Sequence, residues 1–227
     1  MQTVLITGVG KGIGKALARK FLAERWFVIG TYLNTPPDFT HTNFKTHALD
    51  LSKSESIQNC VAEIAKSGAK IDILINNAGA LFDDEETSVV VEKLRQTLEV
   101  NVVGTIDFTE RILSLINHGG HIVNISSTAG SLADSQNFTH SHAPFRYPAY
   151  KISKAALNMY TRTLALRMGR EETGITVSSL HPGWVRTEMG GEGAEMSPEE
   201  AADGIYGVAI KRPETGGFWF KNERVSW

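Results

Sequence analysis

The apolar run Val4-Leu5-Ile6 leads straight into Thr7-Gly8-Val9-Gly10-Lys11-Gly12-Ile13-Gly14, and an amphipathic stretch follows at once. Gly14 to Arg25 carries apolar residues at Leu17, Phe21 and Leu22 with charges between them, a helical pattern. Strand, glycine turn and helix in that order open a βαβ unit, and such units build a parallel sheet. Glycine lets the backbone turn sharply and approach a ligand closely, while free amides at the helix start point at an anion. Taken alone, the loop reads equally well as a tight turn without a ligand. Its place between a terminal strand and a helix favours a pyrophosphate cradle. Gly8, Gly10, Lys11, Gly12, Ile13 and Gly14 are therefore cofactor-binding candidates.

The alternation continues along the chain. Strands are expected at Trp26–Tyr32, His47–Leu49, Ile71–Ile75, His121–Ile125, Ile175–Leu180 and Gly217–Phe220. Ser52 and Glu55 have capping-box spacing and predict a helix running to about Ser67. Ser88 to Ile116 reads as two helices, or as one with a break near Asn101, and Tyr150 to Gly169 as another. Ser197 is expected to cap a helix that starts at Pro198 and ends near Ile210. The pattern predicts an α/β fold, a Rossmann-type doubly wound parallel sheet flanked by helices. No repeat or composition break divides it, so residues 1–227 are expected to form one dinucleotide-binding domain. Ligands of such sheets lie at the carboxyl ends of the strands. The weakly patterned segments Ser131 to Pro148 and Met189 to Met196 are thus candidates for substrate contact. Gly190, Gly191 and Gly193 suggest that the second can close over substrate.

Composition narrows the function. A formal net charge of -2 speaks against a nucleic-acid partner. Cys60 has no second cysteine to pair with and sits in a helical pattern, so it reads as a small apolar packing residue of a reducing compartment. No Cys/His cluster has zinc spacing, so no metal is expected. His118, His121, His140, His142 and His181 read as loop, cap or lining residues, and Asp83-Asp84-Glu85-Glu86 as a solvated helix start. No signal peptide is apparent, and no apolar run nears the roughly 20 residues that span a bilayer. A soluble cytoplasmic protein without membrane contact is expected.

The end of the second strand bears on the cofactor variant. An acid there would bind ribose hydroxyls and repel a phosphate. Thr31-Tyr32-Leu33-Asn34 has none, and Lys11 could pair with a 2′-phosphate. NADPH/NADP is therefore expected over NAD(H), with NAD still open.

Several further elements occur in a fixed order: the T-G-x-x-x-G-x-G loop, Asn76-Asn77-Ala78-Gly79, Asn101 in Val-Asn-Val, Asn124-Ile125-Ser126-Ser127, Tyr150-x-x-x-Lys154, and His181-Pro182-Gly183-Trp184-Val185-Arg186-Thr187. Together they resemble the short-chain dehydrogenase/reductase family, over nearly the whole chain. Lys-Ala-Ala-Leu-Asn, the His181–Gly191 stretch and the short tail ending in Trp227 are most similar to the carbonyl-reductase-like branch that includes sniffer and the C-factor signalling protein. The resemblance implies a catalytic set of Asn101, Ser127, Tyr150 and Lys154. It also implies cofactor contacts from Asp50 and Leu51, from Asn77, Ala78 and Gly79, from Tyr150 and Lys154, and from Pro182, Gly183, Val185 and Thr187. The 23 positions between Ser127 and Tyr150 exceed the family's usual span, and the extra residues, including His140, His142 and Phe145, are expected beside the active site.

Tyr150 and Lys154, four apart on a helix, share a face. A free phenol titrates near 10, and a neighbouring ammonium favours its phenolate. Lys154 is expected to lower the Tyr150 pKa and to bond the nicotinamide ribose. Tyr150 would then exchange a proton with the substrate oxygen while Ser127 donates to it, and Asn101 would hold a water linking Lys154 to solvent. The activity implied is reduction of a small aldehyde, ketone or quinone. A nucleotide-binding signalling or regulatory protein on the same fold is the alternative, and a hydroxysteroid or 3-oxoacyl dehydrogenase a third reading. The partner expected is a small carbonyl or alcohol, with self-association as a homodimer or homotetramer.

Overall fold

In the computed structural model, which describes residues 1–133 and 146–227, the short apolar runs become the centre of one sheet. Its strands are β1 (Thr3–Ile6), β2 (Phe27–Tyr32), β3 (Phe44–Ala48), β4 (Ile71–Asn76), β5 (Ile116–Ile125), β6 (Thr176–Leu180), β7 (Gly217–Phe220) and β8 (Glu223–Arg224). Side chains alternate across a strand, so an unbroken apolar run buries both faces. Val4, Ile6, Ile73, Ile75, Val123 and Ile125 face one core. Leu5, Leu74 and Ile122 face the other, which also holds Cys60.

The helices close these two cores. α1 (Gly12–Ala23) and α6 (Pro198–Lys211) cover the first, burying Leu17, Phe21, Ile205 and Val208. α2 (Ser54–Lys66), α4 (Thr105–Ile112) and α5 (Pro148–Arg170) cover the second with Ile57, Phe108, Ile112 and Leu164. α3 (Val91–Leu98) leads into α4.

Strand order is β3-β2-β1-β4-β5-β6-β7-β8, parallel except for the antiparallel β7–β8 pair. From β1 the chain winds outward to β2 and β3, then returns to place β4 on the other side of β1. That reversal opens a crevice at the carboxyl ends of β1 and β4, where open α/β sheets take their ligands. The expected Rossmann-type sheet is the one observed. Among the described residues, no helix is long and apolar enough to cross a membrane.

Three local expectations change, and a fourth, the break near Asn101, takes a specific form. The Ser52/Glu55 capping box does not form, because Asp50 captures the Ser52 hydroxyl at 2.6 Å and α2 starts after Lys53. The break near Asn101 is a π-helical turn, Glu99–Gly104, inside an otherwise continuous helical path. Its wide turn frees a backbone acceptor, and the Thr105 hydroxyl donates back to the Val100 carbonyl at 3.1 Å. His121 is fully buried inside β5, bridging the Ala209 carbonyl and Ser178 Oγ, and burial lowers its pKa to about 4. Asp83 to Glu86 form a turn rather than a helix start, and Asp83 is 1% exposed. At Ser197 the capping box forms as expected, with Glu200 as its partner.

Candidate active site

The glycine loop is folded by contacts that leave no room for a side chain at Gly10 or Gly14. A Cβ on Gly14 would strike the Gly8 carbonyl and lie 2.6 Å from Asn77 Nδ2. Gly8 and Gly12 adopt φ of +76° and +53°, which favour glycine. Asn77 staples the turn, its Nδ2 donating to the Thr7 carbonyl at 2.9 Å, and the amides of Asn77 and Ala78 both donate to Thr7 Oγ1 at 3.0 Å. α1 then begins without a side-chain cap and with no acid in its first turn. Ile13 packs on the first core. Gly10 lies against the Thr35 carbonyl, just beyond the end of β2.

Around this loop the other expected cofactor residues take defined places. Asp50 follows β3, and its carboxyl accepts from the amide and hydroxyl of Ser52, which hold it below the usual carboxylate range. Leu51 is buried against Gly104. Gly79 sits where a Cβ would be 3.3 Å from Asn101 Oδ1 and 3.7 Å from Lys154 Nζ. After β6, Pro182 and Gly183 lead to Val185, which bridges to Met196, and to Thr187, which lies over Gly12. The segment to Met196 is tied to itself: Trp184 Nε1 donates to the Gly190 carbonyl at 2.9 Å and Arg186 to the Glu195 carbonyl at 2.7 Å. Lys11 forms an ion pair with Glu188 of this segment, both side chains being largely exposed. His140, His142 and Phe145 lie outside the described residues, as does most of the long segment before α5.

The four expected catalytic residues come together. Ser127 follows β5 and caps a short 3-10 turn, Thr128–Gly130, accepting from the Ala129 amide at 3.1 Å. The same hydroxyl is near enough to the Tyr150 phenol to lower its pKa. Lys154 is 5% exposed, donates to the Ile125 carbonyl at 2.8 Å, and holds Nζ 5.4 Å from the Tyr150 ring centre. Asn101 is buried on the π turn. Its Oδ1 accepts from the Ala80 amide at 2.7 Å, and its Nδ2 donates to the Ala80 carbonyl at 2.9 Å and to Ser153 Oγ at 3.1 Å. These three contacts make its side chain a clamp between Ala80 and α5.

The electrostatics reverse one expectation. Burial pushes the Tyr150 phenol up to about 12, against the opposing pull of Ser127. Burial also brings Lys154 down to about 8. Desolvation of the phenolate is the largest influence on Tyr150. Near neutral pH the pair is a protonated phenol beside a mostly charged amine, the form that donates a proton.

Reasoning from the sequence missed Asp83. Its Oδ2 accepts from the Ala149 amide at 2.6 Å, one residue before Tyr150. Nothing within five residues of Tyr150 could reveal a partner 66 positions away.

Comparison with known proteins agrees with this geometry. The family model described as short chain dehydrogenase matches residues 2–198. A 1-hydroxy-2-glutathionyl-2-methyl-3-butene dehydrogenase of Rhodococcus sp. (strain AD45) is 30% identical, covering 96% of this chain and 95% of its own. Carbonyl reductase [NADPH] 1 of Mus musculus is 28% identical, covering 94% and 92%. A putative short-chain dehydrogenase/reductase from Burkholderia multivorans, solved with bound NADP, superimposes with a TM-score of 0.86 at 31% identity, covering 100% and 99%. The chain belongs to the short-chain dehydrogenase/reductase family and resembles its carbonyl reductases.

Proposed function

We propose that this protein is an NADP(H)-dependent oxidoreductase that reduces a small carbonyl compound, with Tyr150 as proton donor. The observation that carries the reading is the meeting of Ser127, Tyr150 and Lys154 beside a glycine loop in which Gly10 and Gly14 have no room for a Cβ. The loop and the uncapped start of α1 fit a pyrophosphate, which the amides of residues 12–14 would bind. NADP(H) is favoured over NAD(H) because β2 ends in Tyr32-Leu33-Asn34. The next acid, Asp38, is already paired with Lys15 at 2.7 Å and lies 3.9 Å from Arg19. NADPH-bearing relatives and a neighbour with bound NADP support the same preference.

The bound cofactor supplies a hydride to the carbonyl carbon. Ser127 and Tyr150 hold the substrate oxygen by hydrogen bonds. As that oxygen gains charge, the phenol gives up its proton and an alcohol results. Lys154 then balances the phenolate, which solvent reprotonates. Lys154 would also bind the nicotinamide ribose.

The test is Tyr150→Phe, assayed for NADPH affinity and for reduction of a panel of aldehydes, ketones and quinones. Turnover is expected to fall by about a hundredfold to ten-thousandfold with affinity kept within threefold. Unchanged turnover, or tight NADPH binding without turnover by wild type, would sink the reading. Two coarser features complete it. A cysteine that is single and buried fits a reducing cytoplasm. Ile152, Met159 and Leu166 recur every seven residues along α5 with exposures of 42%, 65% and 76%, and support pairing of two copies through that helix.

A further inference from the structure

The acidic run after the Asn76–Gly79 element does not face solvent as a unit, and every member of it holds the start of α5. Tyr147 occupies the N-cap position with φ +50° and ψ +54°, and a tyrosine is not a residue whose short side chain reaches the first amides of a helix. Pro148 has no amide to satisfy. Ala149 is therefore the first amide needing an acceptor, and Asp83 Oδ2 supplies it at 2.6 Å. The Asp84 carbonyl accepts from Arg146 Nε at 2.7 Å, and Glu85 pairs with Arg146 Nη2 at 3.0 Å. The Glu86 carbonyl accepts from the Tyr147 amide at 2.9 Å and holds that residue in its left-handed conformation. The Glu86 amide in turn donates to the Asp83 carbonyl at 3.0 Å.

These bonds form one side of a closed ring around Tyr150. From Asp83 the chain runs back three residues to Ala80, which Asn101 grips at both its amide and its carbonyl. Asn101 also donates to Ser153 Oγ, and that hydroxyl donates to the Tyr150 carbonyl at 2.7 Å. The backbone of Tyr150 is thus fixed at its preceding residue by Asp83 and at its own carbonyl by Ser153. A carboxylate 1% exposed, whose Oδ1 has no hydrogen-bond partner among the described residues, is costly to bury. The amide and positive end of α5 offset that cost.

We propose that Asp83 is a positioning residue for Tyr150: its bond to the Ala149 amide fixes the first turn of α5 and so sets where the phenol meets the substrate oxygen. The proposal rests on the carbonyl-reductase reading for its kinetic consequence but not for its structural one. A shift of a few tenths of an ångström in the first turn moves the phenol without touching the glycine loop, so cofactor affinity and turnover separate.

The test compares Asp83→Ala and Asp83→Asn with wild type, using NADPH titration, carbonyl reduction and amide hydrogen exchange. Asp83→Ala is expected to lose about tenfold in kcat, keep NADPH affinity within about twofold, and speed exchange at Ala149 and Tyr150. Asp83→Asn keeps a neutral acceptor and is expected to stay within about threefold of wild-type kcat. Equal losses in both variants, or an NADPH affinity that falls in step with kcat, would overturn the proposal. So would unchanged exchange in Asp83→Ala. Should Asp83→Ala not fold, wild type still decides: an Ala149 amide that exchanges as fast as an exposed one overturns the bond. If wild type reduces no carbonyl, the functional reading fails while the exchange data still judge Asp83.

Discussion

Two helices start at the cleft, α1 and α5, and neither caps itself. Each leaves first-turn amides in need of acceptors. At α1 the chain supplies glycines, no acid and no capping side chain, which keeps the helix start open to an anionic ligand. At α5 it supplies its own anion, Asp83, from 66 residues upstream. The first helix presents backbone to a ligand. The second presents Tyr150 and Lys154, whose chemistry depends on where they are held. On the proposed function a start left open receives the ligand, whereas a start sealed by a buried carboxylate is a mount.

The largest effect is expected from breaking the open end. In Gly14→Ala the new Cβ meets the Gly8 carbonyl and Asn77 Nδ2, backbone and stapled side chain that cannot move aside. Unfolding free energy is expected to drop by at least about 3 kcal/mol, with NADPH affinity lost. Gly191→Ala is the control, with φ +74° and nothing within 4 Å of its Cβ, and should cost about 1 kcal/mol. Denaturant unfolding and cofactor titration measure both.

A second effect sharpens the mount. Lys154 is held at about 8, below the ordinary lysine value of 10.5. Between those values the folded state binds fewer protons than the unfolded one, so stability rises with pH across that window. The rise amounts to up to about 3 kcal/mol. Tyr150, raised to about 12, acts oppositely once pH passes 10. Thermal unfolding from pH 7 to 10 should show the rise in wild type and lose it in Lys154→Met. Carbonyl reduction by the wild type should decline above pH 8 as the ammonium is lost.

The smallest effect concerns the rim. Glu188 pairs with Lys11, and both side chains are largely exposed. Glu188→Gln is expected to tighten NADPH binding by about twofold to threefold without changing NADH binding. Parallel titrations with the two cofactors check it, and equal gains for both would remove Lys11 from phosphate recognition.

The same contrast explains what the sequence disclosed. The glycine loop, the Asn76–Gly79 element and the Tyr150–Lys154 spacing were legible because each is a local pattern, and β1 and β4 because both their faces are largely apolar, whereas β3, expected at His47–Leu49, runs Phe44–Ala48 with no residue fully buried. The ends of elements were less so: β5 begins at Ile116 rather than His121, since Asn117, His118 and Gly119, none of them apolar or buried, interrupt the apolar run after Ile116. β8 was missed because two exposed residues carry no pattern. The π turn, the role of Asp83 and the raised Tyr150 pKa depend on contacts or burial far from each residue along the chain, so no spacing encodes them.

The most direct measurement is a crystal structure of the protein with NADPH bound. The pyrophosphate is expected on the amides opening α1, the nicotinamide ribose on Lys154, and the Tyr150 hydroxyl facing the nicotinamide with Ala149 still bonded to Asp83. A dinucleotide seated away from the glycine loop, or a phenol turned out of the cleft, would contradict the division between an open helix start and a sealed one.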